Sequence, residues 1–417
     1  MFNTGEFASP LMRAASMPGA PMPGLMQQPQ PPMRMDSPPP ESLLPRAVQY
    51  YADYSGCGFW RMLWPEHLLN AYGKMTVHGS TVMVLDPRWY IKVQAVRVQR
   101  QATPAQLQFV KFLKDVSNQI AAKEGKGFKI IYEIDDLVFH EDIPDYNKFK
   151  TAFVSDEIRN SAQEIMSLCD EITVTNDFMK EYYMNKTGNK NITVIPNFPP
   201  KFWLGNFYDQ KQISANYDTY KNKPRILYAG SGAHFDVENR VNQNDDFAHV
   251  VKAIYDTVDT FQWVFLGAFP MPIRPLIESG KVEFHPWLNL YDYGEKIKNL
   301  RINMLVAPLQ NNNFNKSKSD LKWVEANCFG LPIACQDLCT YKDAEYKFNT
   351  GDEMVAAIKD VLSKKGRYMN ICAAARKNAD SRWLETPENL QCYYELFNHP
   401  YGSPERKRLN QINRITV

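Results

Sequence analysis

Lys318, Lys322 and Glu325 stand at i, i+4 and i+7 in "KSKSDLKWVEANCFGLP" (316–332), so a helix through this stretch carries two ammonium groups and a carboxylate on one face. Such a face is either solvated and held by side-chain pairs worth about 0.2–0.5 kcal/mol each, or the floor of an anion site. Position separates the two. The polar run "QNNNFNKSKS" leads from the strand pattern "INMLVAPL" (302–309) directly into the helix, with Ser319 and Asp320 as N-cap residue types. A helix that starts at the carboxyl end of a strand presents unpaired backbone N–H groups and the positive end of its dipole, both of which favour phosphate. The two lysines add full charge at the same place.

Two other stretches have chemical potential. "YAGSGAH" (228–234) is a strand ending in a small-residue loop, where Gly230, Ser231 and Gly232 allow backbone to approach a ligand closely. It is neither GxGxxG nor a GK[ST] loop, and the absence of GxGxxG with an acidic residue about 20 positions on argues against an NAD-dependent oxidoreductase. "YSGCGFWR" (54–61), with Gly56, Gly58 and Arg61, is the matching loop in the earlier half of the chain, or a plain turn. "YEIDDLVF" (132–139) ends a strand in Asp135 and Asp136. Adjacent carboxylates point in different directions, so one can act as base or hydrogen-bond acceptor while the other caps the following turn. No HExxH, HxxxH or GxSxG pattern is present, and no metal is expected.

The elements that must position these residues alternate. Strand patterns at 81–86, 91–100, 128–137, 171–176 and 192–197 are separated by helical ones at 104–125 and 155–169. After a Tyr-, Asn-, Gln- and Lys-rich connection from Phe202 to Lys223, the alternation restarts. Strands at 224–230, 260–267, 281–287, 302–309 and 332–337 alternate with helices at 245–258 and 291–300 and are followed by one at 351–364. Strands separated by helices imply parallel sheets covered on both faces. The expected fold class is α/β, with two Rossmann-like domains facing a cleft. The expected boundaries are 1–42 as a disordered tail, 43–205 as the first domain, 206–223 as a linker, 224–380 as the second domain and 381–417 as a terminal helix with a basic end.

Residues 1–42 hold 10 of the 28 prolines and 7 of the 17 methionines and cannot bury enough apolar surface to offset their ordering entropy. Seven scattered cysteines without CxxC spacing imply reduced thiols and a cytoplasmic compartment. Net charge is +2, but residues 43–131 carry 12 Lys and Arg against 5 Asp and Glu, while 132–200 carry 6 against 13. The two segments either pair with each other or leave a basic face for a polyanion.

Taken together, these stretches resemble glycosyltransferases of the B-type fold (GT-B), over almost the whole length from 47 to 395. "SGCGFWRMLWP" is similar to their first-strand loop, "KIIYEIDDLVF" to their acidic segment, and "RILYAGSGAH" to the start of their second domain. "APLQNNNFNKSKSDLKWVEANCFGLPIACQD" looks like their donor-binding signature. The resemblance implies a nucleoside-diphosphate sugar, such as a UDP-sugar, as co-substrate, with no tightly bound cofactor. It puts Glu325 on the ribose, and Gly230, Ser231, Gly232, Asn315, Lys318, Ser319 and Lys322 around the rest of the donor. Asp135 or Asp136 then serves the acceptor hydroxyl, with Gly56, Gly58 and Arg61 on the acceptor-side loop. Ser317 departs from the family's usual form, which has a glutamate there.

The acceptor suggested by the basic segment, by "RWYIKVQAVRVQR" and by a likeness to bacteriophage enzymes is a hydroxymethylated base such as hydroxymethylcytosine in double-stranded DNA, in a host cytoplasm. Such a base would have to leave the stack to reach a cleft. The alternatives are transfer to cell-surface or other glycans, or a decayed module that binds nucleotide-sugar or nucleic acid without turnover.

Overall fold

The computed structural model describes residues 46–153, 155–205, 209–236 and 244–414. The Pro- and Met-rich segment 1–42, expected to be disordered, lies outside them. Six strands build the first sheet: β1 (Ala47–Tyr50), β2 (Val77–Ser80), β3 (Ala95–Gln99), β4 (Lys129–Glu133), β5 (Glu171–Val174) and β6 (Ile192–Val194). A further six build the second: β7 (Arg225–Gly230), β8 (Gln262–Gly267), β9 (Glu283–Pro286), β10 (Met304–Ala307), β11 (Ile333–Gln336) and β12 (Tyr346–Phe348). Every pairing is parallel, in the orders β2-β1-β3-β4-β5-β6 and β12-β11-β10-β7-β8-β9. Each order reverses once, between β1 and β3 and between β7 and β10. At such a point the connections leave to opposite sides and open a crevice beyond the strand ends, where ligands of open α/β sheets bind.

Local signals fix most helices. Thr103 and Gln106 form a reciprocal capping box at the start of the helix Pro104–Glu124, and Gly125, at φ 78°, ends it in the left-handed region. Its face of Leu107, Val110, Leu113 and Val116 is buried against the first sheet.

Three expectations need correction. The strand anticipated at 81–86 is irregular, and β2 lies just before it, where Asn70 pairs with both backbone groups of Val77 through its side chain. The connection expected at 206–223 contains a helix, Gln210–Tyr220, capped by Asp209; only Ile213 and Asn216 are buried on it, so it carries no apolar period to read. The helix expected over 245–258 is helical only at Val251–Thr257: Asp245 caps the Phe247 N–H locally and gives its carbonyl to Gln310 Nε2, and Asp246 accepts from the Tyr146 hydroxyl.

The charge asymmetry of the first domain resolves into internal pairs. Arg61, Arg97, Arg100, Lys111, Lys114 and Lys129 of the basic segment meet Glu133, Asp135, Glu164, Asp170 and Glu171 of the acidic one. At the centre, the fully buried Glu133 accepts from Arg61 Nε at 2.6 Å, and from Arg97 and the Thr173 hydroxyl. Arg61 also donates to the Ile195 carbonyl and to Asn197, tying β4 to the segment beyond β6. The stretch "RWYIKVQAVRVQR" is thus largely structural, since Tyr90 and Arg97 are both wholly buried.

The last described residues pack on the first domain. The helix Pro387–Asn398 brings Tyr393 under the Arg97 guanidinium, 5.6 Å from its ring centre. Arg406 then pairs with the buried Glu171 at 2.7 Å. No helix among the described residues is long and apolar enough to cross a membrane.

Replacing Glu133 by Ala strands two buried guanidinium groups, and breaking a buried pair in this way costs about 3–5 kcal/mol. Urea unfolding of Glu133→Ala should show that loss. A change below about 1 kcal/mol would contradict the account, since it would match an exposed pair.

Candidate functional site

A cavity of about 290 Å³ lies between the carboxyl ends of the two sheets. From the second domain come Gly230 and Ser231 after β7, and Lys318, Ser319, Lys322 and Glu325 after β10; Asp135 and Asp136 enter from the end of β4. A second cavity of about 470 Å³ adjoins it and shares Gly56, Arg100, Asp136, Ser231, His234 and Lys318. Both switch points therefore contribute to one cleft.

The helix is Leu321–Phe329, so it carries Lys322 and Glu325 while Lys318, expected on the same face, lies on the turn before it, and its N-cap Asp320 makes no capping bond through its side chain. That carboxylate instead accepts from Arg382 at 2.8 and 3.1 Å. Lys322 reaches back to donate to the Ala229 carbonyl and lies 4.6 Å from the centre of the Tyr228 ring. Burial pulls its ammonium down to about 8, against the attraction of Glu325 and Asp246. Burial pushes the Glu325 carboxyl up to about 7, although Lys322 and the hydroxyl of Tyr293, which donates to Glu325 Oε2 at 3.0 Å, both favour the charged form. Lys318 donates to Asp136 at 2.9 Å across the cleft, with its ammonium 3.8 Å from the centre of the Phe314 ring.

The acidic pair is engaged. Asp135 accepts from Arg100 Nε at 2.7 Å. Burial would raise its carboxyl, but Arg100, Cys57 and Arg61 together hold it below its ordinary value. Arg100 itself has φ 50°, an uncommon conformation for a residue with a side chain, and Cys57 Sγ accepts from its Nη2 at 2.9 Å.

Not every residue singled out from the sequence reaches the cleft. Arg61, placed on the acceptor-side loop, is wholly buried against Glu133 inside the first domain. Gly58 is needed for packing: a Cβ there would sit 2.0 Å from the Asp53 carbonyl oxygen. Asn315 is buried and donates to Asp246 at 2.5 Å and to the Gln310 carbonyl at 2.9 Å, which makes it a brace for the turn. Gly232 begins a short 3-10 turn behind Ser231 and is not part of the cavity wall. Ser317, at the position of the family's glutamate, is also buried, and its hydroxyl donates to the Phe314 carbonyl at 2.6 Å.

His234 was missed by the sequence reading. It lines both cavities, and its Nδ1 lies 2.7 Å from Oδ2 of the fully buried Asp246. The two residues are separated by a segment without periodicity, so no spacing rule links them. Trp287, just after β9, and Tyr293, whose partner Glu325 is 32 positions away, were also missed.

No family model matches the chain. No curated protein matches it in sequence. Among solved structures, HepE of Anabaena in complex with UDP and glucose aligns with a TM-score of 0.54 at 9% identity, over 81% of this chain and 95% of that one. The UDP-glucose complex of HepE aligns at 0.52 and 10% identity over the same shares. This likeness, with the two parallel six-stranded sheets, establishes a GT-B-like α/β fold.

Tyr293→Phe removes the donor that stabilises charged Glu325, so the carboxyl midpoint should rise above about 7. Carboxyl ¹³C shifts, assigned by comparison with Glu325→Gln, measure it. An unmoved midpoint would contradict the contact.

Proposed function

We propose that the chain transfers a sugar from a nucleoside diphosphate to a hydroxyl acceptor. The observation that carries this reading is the convergence of Lys318, Lys322 and Glu325 with the Gly230–Ser231 turn on one cavity at the β7/β10 switch point. Two ammonium groups beside a helix N-terminus suit a diphosphate, and a carboxylate one turn deeper suits vicinal ribose hydroxyls. The HepE complexes, which hold UDP and UDP-glucose, lend support through the shared fold. In this reading the lysines stabilise the charge that develops on the departing diphosphate. Asp135 and Asp136, each holding a cation, orient the acceptor side; a role as base would require those pairs to open. Ser317 has no group to offer the donor sugar.

For the acceptor, double-stranded DNA with hydroxymethylated bases would bring phosphates that need unpaired cations. Six of the twelve basic residues of 43–131 are instead paired with the acidic segment, and the cations lining the second cavity, Arg100 and Lys318, hold Asp135 and Asp136. The rings of Tyr54, Phe59 and Tyr291 also line that cavity, Tyr54 and Tyr291 being more than half exposed. This composition favours an uncharged ring, such as a sugar, over a polyanion.

Lys322→Ala and Glu325→Ala should each lower kcat/KM for the best donor by about 10–100-fold, the value of one charge-assisted hydrogen bond. The measurement is mass spectrometry of products from a nucleotide-sugar panel, with neutral glycans and hydroxymethylated DNA as competing acceptors. Wild-type rates in both variants would remove the site assignment. Transfer to DNA alone would remove the uncharged acceptor, and donor binding without turnover of any sugar would favour a binding module.

A further inference from the structure

We propose that His234, oriented by Asp246, is a third diphosphate-binding residue that joins Lys318 and Lys322 as the protonated imidazolium, so that donor capture draws a proton into the site. The inference rests on the donor-site reading above, and goes beyond it in naming a residue and a proton.

The geometry begins with Asp246. Its Oδ1 accepts from the Gln310 backbone N–H at 2.9 Å, from Asn315 Nδ2 at 2.5 Å and from the Tyr146 hydroxyl at 2.8 Å. Its Oδ2 faces His234 Nδ1 at 2.7 Å. A carboxylate surrounded by donors is itself only an acceptor, so Nδ1 of His234 carries hydrogen and Nε2 is the nitrogen left for a ligand. The ring sits on the turn directly after Gly230 and Ser231, on the wall shared by the two cavities. That wall is where a diphosphate would lie between Ser231 and the two lysines.

The charges around the ring set its state. Asp246 favours the imidazolium, while burial, Lys322 and Lys318 oppose it, and the balance lies below the ordinary histidine value. Asp136 faces the same wall but is held by Lys318, and Arg100 by Asp135. Asp245, next to the dyad, is pushed up to about 6 by burial, and Glu325 lies beyond Lys322. These groups therefore keep His234 neutral at neutral pH. A bound diphosphate reverses the sign of the surroundings, which raises the folded-state affinity of Nε2 for a proton. Affinity for the diphosphate is then highest at low pH and falls as pH rises through the imidazole value of the complex. Lys322, at about 8, takes up its own proton mainly above pH 7, and ionisation of Glu325 against ribose releases one, so the contribution of His234 is a difference between proteins.

The test is calorimetry of UDP binding to the full chain at pH 6.5 in two buffers of low and high ionisation enthalpy, for wild type, His234→Gln and Lys322→Arg. Wild type should take up more protons per UDP than His234→Gln. The variant should bind about tenfold more weakly at pH 6.5, with the gap closing toward pH 9, as expected for loss of a charge-assisted bond. Lys322→Arg should keep the wild-type uptake at this pH. Equal uptake and affinity in wild type and His234→Gln would overturn the role of His234 while leaving the donor site standing. Absence of UDP binding to wild type at every pH would remove the donor-site reading, and this proposal with it.

Discussion

The side-chain amide of Asn176, at the start of a helix in the first domain, donates to three successive carbonyls of the lysine-bearing turn, those of Lys316, Ser317 and Lys318, at 3.2, 3.2 and 2.9 Å. The rest of the site depends on this strap. It fixes the direction in which the chain leaves residue 318, and so the direction of Lys318 and of the helix that carries Lys322 and Glu325. Neighbouring bonds repeat the theme: Asn197 donates to Ser319 Oγ at 3.0 Å, Asn313 to Asp142 at 2.9 Å, and Arg382 to the Asn197 carbonyl at 3.0 Å. The turn between β10 and its helix belongs as much to the first domain as to the second. The contact between the two domains and the placement of Lys318 therefore rest on the same hydrogen bonds.

Confinement in that seam explains the electrostatics. Lys322 and Glu325 lie one turn apart, partly buried in the cavity wall, and desolvation moves each toward neutrality from opposite sides. Groups poised near neutral pH respond to small changes in local charge, which is what an arriving phosphate supplies. By contrast Glu133, with two arginines and a threonine on it, is a structural hub in the interior of the first domain. The same residue types thus serve two ends, separated by whether the cation is fully spent on its partner.

The alternation of apolar runs and helical stretches made the two-sheet architecture legible, and the strand-then-helix context of 302–329 placed Lys318, Lys322 and Glu325 together. Single-chain patterns report what is near in sequence, and they failed where contacts are long-range. Arg61 looked available because nothing within a few residues pairs with it; its partner Glu133 is 72 positions away. Asn315 and Ser317 lie within the right motif, but the chain turns them inward to brace the loop. His234 had no visible partner because Asp246 lies across a nonperiodic segment. The basic and acidic segments, readable as separate surfaces, cancel because β3 and β4 are neighbours in the sheet.

A crystal structure with UDP bound tests the central claim most directly. The account predicts the ribose hydroxyls on Glu325 and the diphosphate between Lys318, Lys322 and the Gly230–Ser231 turn. UDP bound elsewhere, with Glu325 and both lysines keeping their present partners, would contradict it.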